Sequence, residues 1–95
     1  MSELGPENEP REMRIRRLRM RSMRRGTKEM DLILMRFAEA RLEDMSDADL
    51  GLYDALLSEN DQDLYIWVSG QQPAPARFAP VVAEIAAVSP PMNTD

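Results

Sequence analysis

Met30, Ile33, Leu34, Phe37, Ala38 and Leu42 recur at steps of three and four, the spacing that gathers side chains on one face of an α-helix. This pattern predicts an amphipathic helix over residues 27–45, with an apolar stripe turned toward a core. That helix is the spine, and the rest of the chain must supply faces to cover its stripe.

Other segments carry the same kind of pattern. Over residues 11–25, Ile15, Leu18 and Ser22 fall on one narrow stripe that can dock on a core. Arg14, Arg17, Arg21, Arg24 and Arg25 gather beside it, where a solvated face is the expectation. Met13, Met20 and Met23 form a softer third face, suited to peripheral packing or to an adaptable binding surface. Ser46 and Asp49 read as a capping box ahead of a third helix with Leu50, Tyr53, Leu56 and Leu57 on one side. Asn60 caps a fourth over 61–69, with Leu64, Trp67 and Val68 inward and Gly70 ending it. Pro73 and Pro75 make 71–75 a loop, and a last helix over 77–88 turns Phe78, Val81, Val82 and Ile85 to one face until Pro90 and Pro91 stop it. Residues 65–68 have strand-like composition, but a cap before them and glycine after them favour helix. The predicted fold is all-α: a small five-helix bundle over 11–88, a disordered tail over 1–10, a C-terminal tail over 89–95, and Phe37, Leu57, Trp67 and Ile85 in the core.

Composition removes most chemistry. The 95 residues form one domain with a modest core and contain neither cysteine nor histidine. Disulfides, the usual zinc sites, thiolate nucleophiles and Ser-His or Cys-His pairs are excluded within this chain. Neither an Asp-x-Asp-x-Asp-Gly loop nor a glycine-rich dinucleotide fingerprint is present. No metal is expected, and the scattered carboxylates suggest no enzyme. No apolar run has membrane-spanning length.

Charge divides the chain. Residues 1–28 hold nine Lys/Arg against four Glu, a net +5, whereas residues 29–95 hold three Arg against thirteen Asp/Glu, a net -10. So acidic a body repels nucleic acid and anionic lipid, which argues against both as partners and favours a protein with its own acidic patch. The arginine run is too interrupted by glutamate for an organellar transit peptide, so a bacterial cytoplasmic location is expected.

The sign changes at Arg25-Gly26-Thr27-Lys28-Glu29. Glycine there can end one helix, Thr27 or Gly26 can cap the next, and Glu29 then lies near the positive end of its dipole. As bare punctuation the junction needs no further role.

Arg24-Arg25-Gly26-Thr27-Lys28-Glu29-Met30-Asp31-Leu32, with Phe37 in the same helix, the capped turn at Ser46, and Asn60-Asp61-Gln62-Asp63-Leu64-Tyr65-Ile66-Trp67 with Gly70 after it, resemble the SdhE family. These are small flavinylation assembly factors of succinate dehydrogenase, recognised by an RGxxE motif. The resemblance covers residues 14–88; Thr27 departs from the Met of many members, and aromatic residues are common near the positions of Met20 and Met23. It implies a five-helix bundle that binds the flavoprotein subunit of succinate dehydrogenase, and in many bacteria that of fumarate reductase, and promotes covalent attachment of FAD to a histidine of that partner. Arg25, Gly26 and Glu29 carry the motif and are the implied partner-binding residues, with Arg24, Met20, Met23 and Asp31 around them. No catalytic, cofactor-binding or metal-binding residue is expected, the chain holds no FAD stably, and a monomer is expected. An antitoxin-like or regulatory protein-binding module, or a nucleic-acid binder using the arginine helix, are the alternatives.

Overall fold

The computed structural model describes residues 9–23 and 25–88, which form five helices and no strand: α1 (Arg11–Ser22), α2 (Lys28–Arg41), α3 (Asp47–Leu56), α4 (Asp61–Val68) and α5 (Ala79–Val88). The expected all-α bundle is what forms. The tail expected over 1–10 falls, except for Glu9 and Pro10, outside the described residues, as do Pro90 and Pro91.

α2 is the spine because its stripe is fully covered. Met30, Leu34 and Phe37 have no exposed surface, and Ile33 and Ala38 almost none. α1, α4 and α5 pack directly against this helix. Thr27 begins it by accepting the Met30 N–H on its hydroxyl at 3.3 Å, satisfying one of the donors that a helix start leaves free. The helix ends at Arg41, four residues before the expected limit. Leu42–Asp44 tighten into a turn of 3-10 helix, which closes with the Met45 N–H on the Leu42 carbonyl and keeps both side chains buried.

The later helices start at their expected caps. Ser46 accepts the Asp49 N–H at 3.1 Å to open α3, and Asn60 accepts the Asp63 N–H at 2.9 Å to open α4. α4 stops because Gly70 takes a φ of 86°, where a Cβ would be strained. Its N–H returns to the Trp67 carbonyl and that of Gln71 to the Ile66 carbonyl, closing the last turn. Leu64 and Val68 are buried, but Trp67 lies only at the edge of the core, its ring 6.2 Å from that of Phe78. Phe78 is buried one residue ahead of α5.

α1 departs from expectation in two ways. It ends at Ser22 instead of Arg25, with Met23 already extended. Its arginines, moreover, are not simply solvated. Arg11 reaches Asp47 at 2.7 Å, and Arg17 and Arg21 converge on Asp54 at 2.8 and 2.5 Å. Arg17 also grips Glu9, both contacts at 2.8 Å. The basic arm therefore docks on acidic α3, and the two signs read along the sequence meet inside one molecule. Those arginine hydrogen bonds hold the Asp54 and Glu9 carboxyls below their ordinary range, against the opposing effect of burial.

Candidate functional site

The connection from α1 to α2 runs through Arg25 and Gly26 and is fastened from across the bundle by Asp61. This aspartate is the first residue of α4, placed there by the Asn60 cap. One carboxylate oxygen, Oδ1, accepts Arg25 Nε at 2.8 Å, and the other, Oδ2, accepts the Gly26 N–H. Arg25 continues inward: its guanidinium donates to the carbonyls of Leu57 at 3.2 Å, Glu59 at 3.3 Å and Arg21 at 3.4 Å. The first two close the end of α3 and the third belongs to the last turn of α1, so the cation faces the negative ends of two helices at once. Its side chain is 14% exposed.

This fastening places Gly26 close to its neighbour. A Cβ built on Gly26 would lie 2.8 Å from Asp61 Oδ2, too near without a shift of that carboxylate. Space rather than an unusual φ is what glycine supplies here.

Beyond the junction lies an open groove of about 460 Å³ between the start of α2 and the outer side of α4. Thr27, Glu29, Asp61, Gln62, Tyr65, Ile66 and Gln71 line it. Glu29 is exposed in the first turn of α2, while Tyr65 and Ile66 are half-buried and give an apolar floor. Among the described residues no lysine or arginine lines it, and Arg25 is turned away into its own contacts.

The structure brings together some of the residues singled out in the sequence and separates others. Gly26 and Glu29 are exposed on the same side as the groove, and Arg25 lies behind them as a strut. Asp31, also in the first turn of α2, is half-buried, and its Oδ1 is buried without a hydrogen-bond partner among the described residues. Met20 is 56% exposed on the outer side of α1 and Met23 half-buried at its end, neither of them lining the groove. Arg24 falls outside the described residues. Asp61, Gln62, Tyr65, Ile66 and Gln71 were not singled out as site residues. For the first four of these the available signal was the Asn60–Trp67 segment, whose acidic first turn and half-buried Tyr65 follow from the phase of a helix that turns Leu64 and Val68 inward.

Residues 16–89 match the profile of a family described as flavinator of succinate dehydrogenase. Among curated proteins, the chain is similar to "succinate dehydrogenase assembly factor 2, mitochondrial" of the fungus Mycosarcoma maydis, 43% identical over 79% of this chain and 32% of that one. Its namesake in the fly Drosophila grimshawi is 38% identical over 82% of this chain and 54% of the relative. That of the yeast Meyerozyma guilliermondii is 46% identical over 64% and 45%. The chain thus spans between about a third and about half of the length of these relatives. The relatives are named as mitochondrial and come from fungi and flies, which overturns the expectation of a bacterial cytoplasmic protein. That expectation rested on a missing transit peptide, and a sequence matching only part of its relatives carries no information on what precedes it.

Proposed function

Since the chain belongs to the family of the flavinator of succinate dehydrogenase, we propose that it is an assembly factor that binds the flavoprotein subunit of that enzyme and promotes covalent attachment of FAD to it. The observation that carries this reading is the extent of the match, which runs from within α1 to just past α5 and so includes both the junction and the groove. The chain works by binding. It contains neither histidine nor cysteine, the residues that usually take a covalent flavin, which supports placing that bond on the partner. A binder promotes a reaction it does not perform by holding one arrangement of its partner more tightly than the others. Here that arrangement is the one in which flavin and its attachment residue are aligned.

Within this reading, Gly26 and Glu29 face the flavoprotein and Arg25 acts from behind, fixing the backbone that presents them. The arginines of α1 give little support to the nucleic-acid alternative, because Arg11, Arg17 and Arg21 are engaged with acidic residues of the same molecule.

The test is flavin fluorescence of the succinate dehydrogenase flavoprotein on a denaturing gel, after production with this chain, without it, and with Gly26→Arg. Denaturation strips non-covalent FAD, so the band reports the covalent bond alone. A band that requires the wild-type chain supports the reading, and equal bands in all three samples overturn it.

A further inference from the structure

The groove beside the junction has a chemistry that selects its occupant. Resting on the assembly-factor reading above, we infer that it receives an extended segment of the flavoprotein in which a lysine or arginine stands next to an apolar side chain. Charge complementarity supports this first. Glu29 is exposed, has no ion-pair partner among the described residues, and shares the groove with Asp61. Asp61 is already shared between Arg25 and the Gly26 N–H, which leaves Glu29 as the carboxylate free to take an incoming cation. Arg25 neutralises Asp61 and its guanidinium then points back into the bundle, so among the described residues no cation pairs with Glu29 in the lining.

The other half of the recognition is apolar and directional. Tyr65 and Ile66 offer a half-buried floor, and Leu32, three residues beyond Glu29 on α2, is 52% exposed. A side chain laid on this floor brings its neighbour in an extended segment to the groove edge. Gln62 and Gln71 are exposed along the wall, and their amides offer both donors and acceptors to a peptide backbone. An acidic segment would be repelled by Glu29. A purely apolar one would leave that carboxylate without its water and without a counter-charge.

The experiment uses the full chain and the intact flavoprotein subunit. Photo-crosslinking side chains at Gln62 and Gln71 should attach to a common flavoprotein segment that contains Lys or Arg, while the same probe at Arg16, exposed on α1, should attach far less. In parallel, Glu29→Gln should weaken flavoprotein binding about tenfold or more, as loss of a charge-assisted contact does, and flatten its salt dependence. Glu29→Lys should weaken it further, with circular dichroism unchanged because the residue is exposed. Crosslinks confined to Arg16, a captured segment without a basic residue, or Glu29→Lys binding like wild type would each overturn the inference while leaving the assembly role standing. A wild-type chain that binds no flavoprotein overturns both.

Discussion

Arg25 and Asp61 meet at 2.8 Å, the former on the turn after α1 and the latter at the first position of α4, and the same carboxylate takes the Gly26 N–H. Two segments 36 residues apart are thereby tied at one point. Removing either side chain strands the other: a guanidinium against helix ends without its carboxylate, or a carboxylate without its cation. Arg25→Ala and Asp61→Ala should each lower unfolding free energy by about 1–3 kcal/mol. The double variant should cost much less than the sum, with a coupling of about 0.5–3 kcal/mol. Urea unfolding of the four proteins measures this, and strict additivity would show that the two residues do not act as one device.

Gly26 can be separated from that pair. The obstacle to a side chain there is Asp61 Oδ2, the end of a side chain and not backbone, so it can swing aside. Gly26→Ala should cost about 1 kcal/mol in the wild-type background, the worth of a disturbed hydrogen bond, and nearly nothing once Asp61 is alanine. Gly26→Arg should leave the bundle folded, its bulk lying on the exposed side, and should abolish flavinylation of the partner. Circular dichroism and the fluorescent band report the two halves of this expectation. An unfolded Gly26→Arg protein would mean that the glycine serves the fold alone.

How far these features were legible depends on which interactions are local. Helix existence, the caps at Ser46 and Asn60, and the Gly70 stop are set by neighbours within four residues, so periodicity and capping chemistry located them, while the α2 cap was narrowed to Thr27 or Gly26 and the structure gives it to Thr27. Helix ends were less legible. α1 stops at Ser22 because Arg25 must reach acceptors on α3 and α4, and no local propensity contains that demand. The arginine face was misjudged for the same reason: Asp54 lies 37 and 33 residues from Arg17 and Arg21. A charge run by itself does not say whether its counter-charges are in solvent or on another helix. The motif drew attention to Arg25, Gly26 and Glu29, yet it could not show that the arginine faces inward while the glutamate faces out.

Ser22 and Tyr53 form a buried polar pair whose two members should differ in cost. Ser22 has one hydroxyl proton and donates it to the Leu18 carbonyl at 2.8 Å, so the Tyr53 hydroxyl, 2.6 Å away, is the donor between them. Ser22→Ala leaves a fully buried phenol without an acceptor and should cost about 1–3 kcal/mol. Tyr53→Phe removes the donor itself and leaves Ser22 bonded to Leu18, so its cost should be smaller. Burial pushes the Tyr53 phenol up to about 12, despite the opposing Ser22 hydrogen bond. Between about pH 10, where an unfolded tyrosine ionises, and that value, the unfolded chain binds fewer protons and wild-type stability should fall. Tyr53→Phe should lack this alkaline loss. Unfolding curves of both variants at neutral and high pH check the order of costs and the missing slope together.

Acid should act through the arginine contacts of α1, to Asp54 on α3 and to Glu9 just ahead of the helix. Asp54 has its carboxyl held below the ordinary 3.8 chiefly by the Arg17 hydrogen bond, with Arg21 adding to it, and Glu9 is held below 4.5 by Arg17 and Arg14. A carboxyl depressed in the folded state contributes stability that is fully present above its unfolded value and disappears as pH falls through the folded one. Wild-type stability should therefore drop as pH falls below about 4, the range of an unfolded carboxyl. Asp54→Asn should be less stable than wild type at pH 7, because Arg17 and Arg21 lose their shared anion. Its acid limb should be shallower, so that the two curves converge toward low pH. Glu9→Gln should behave likewise with a smaller separation at neutral pH, since Arg17 and Arg21 keep Asp54. Urea unfolding across a pH series measures the convergence. Curves that stay parallel down to acid would show that these arginine contacts are not what fastens α1 to the bundle.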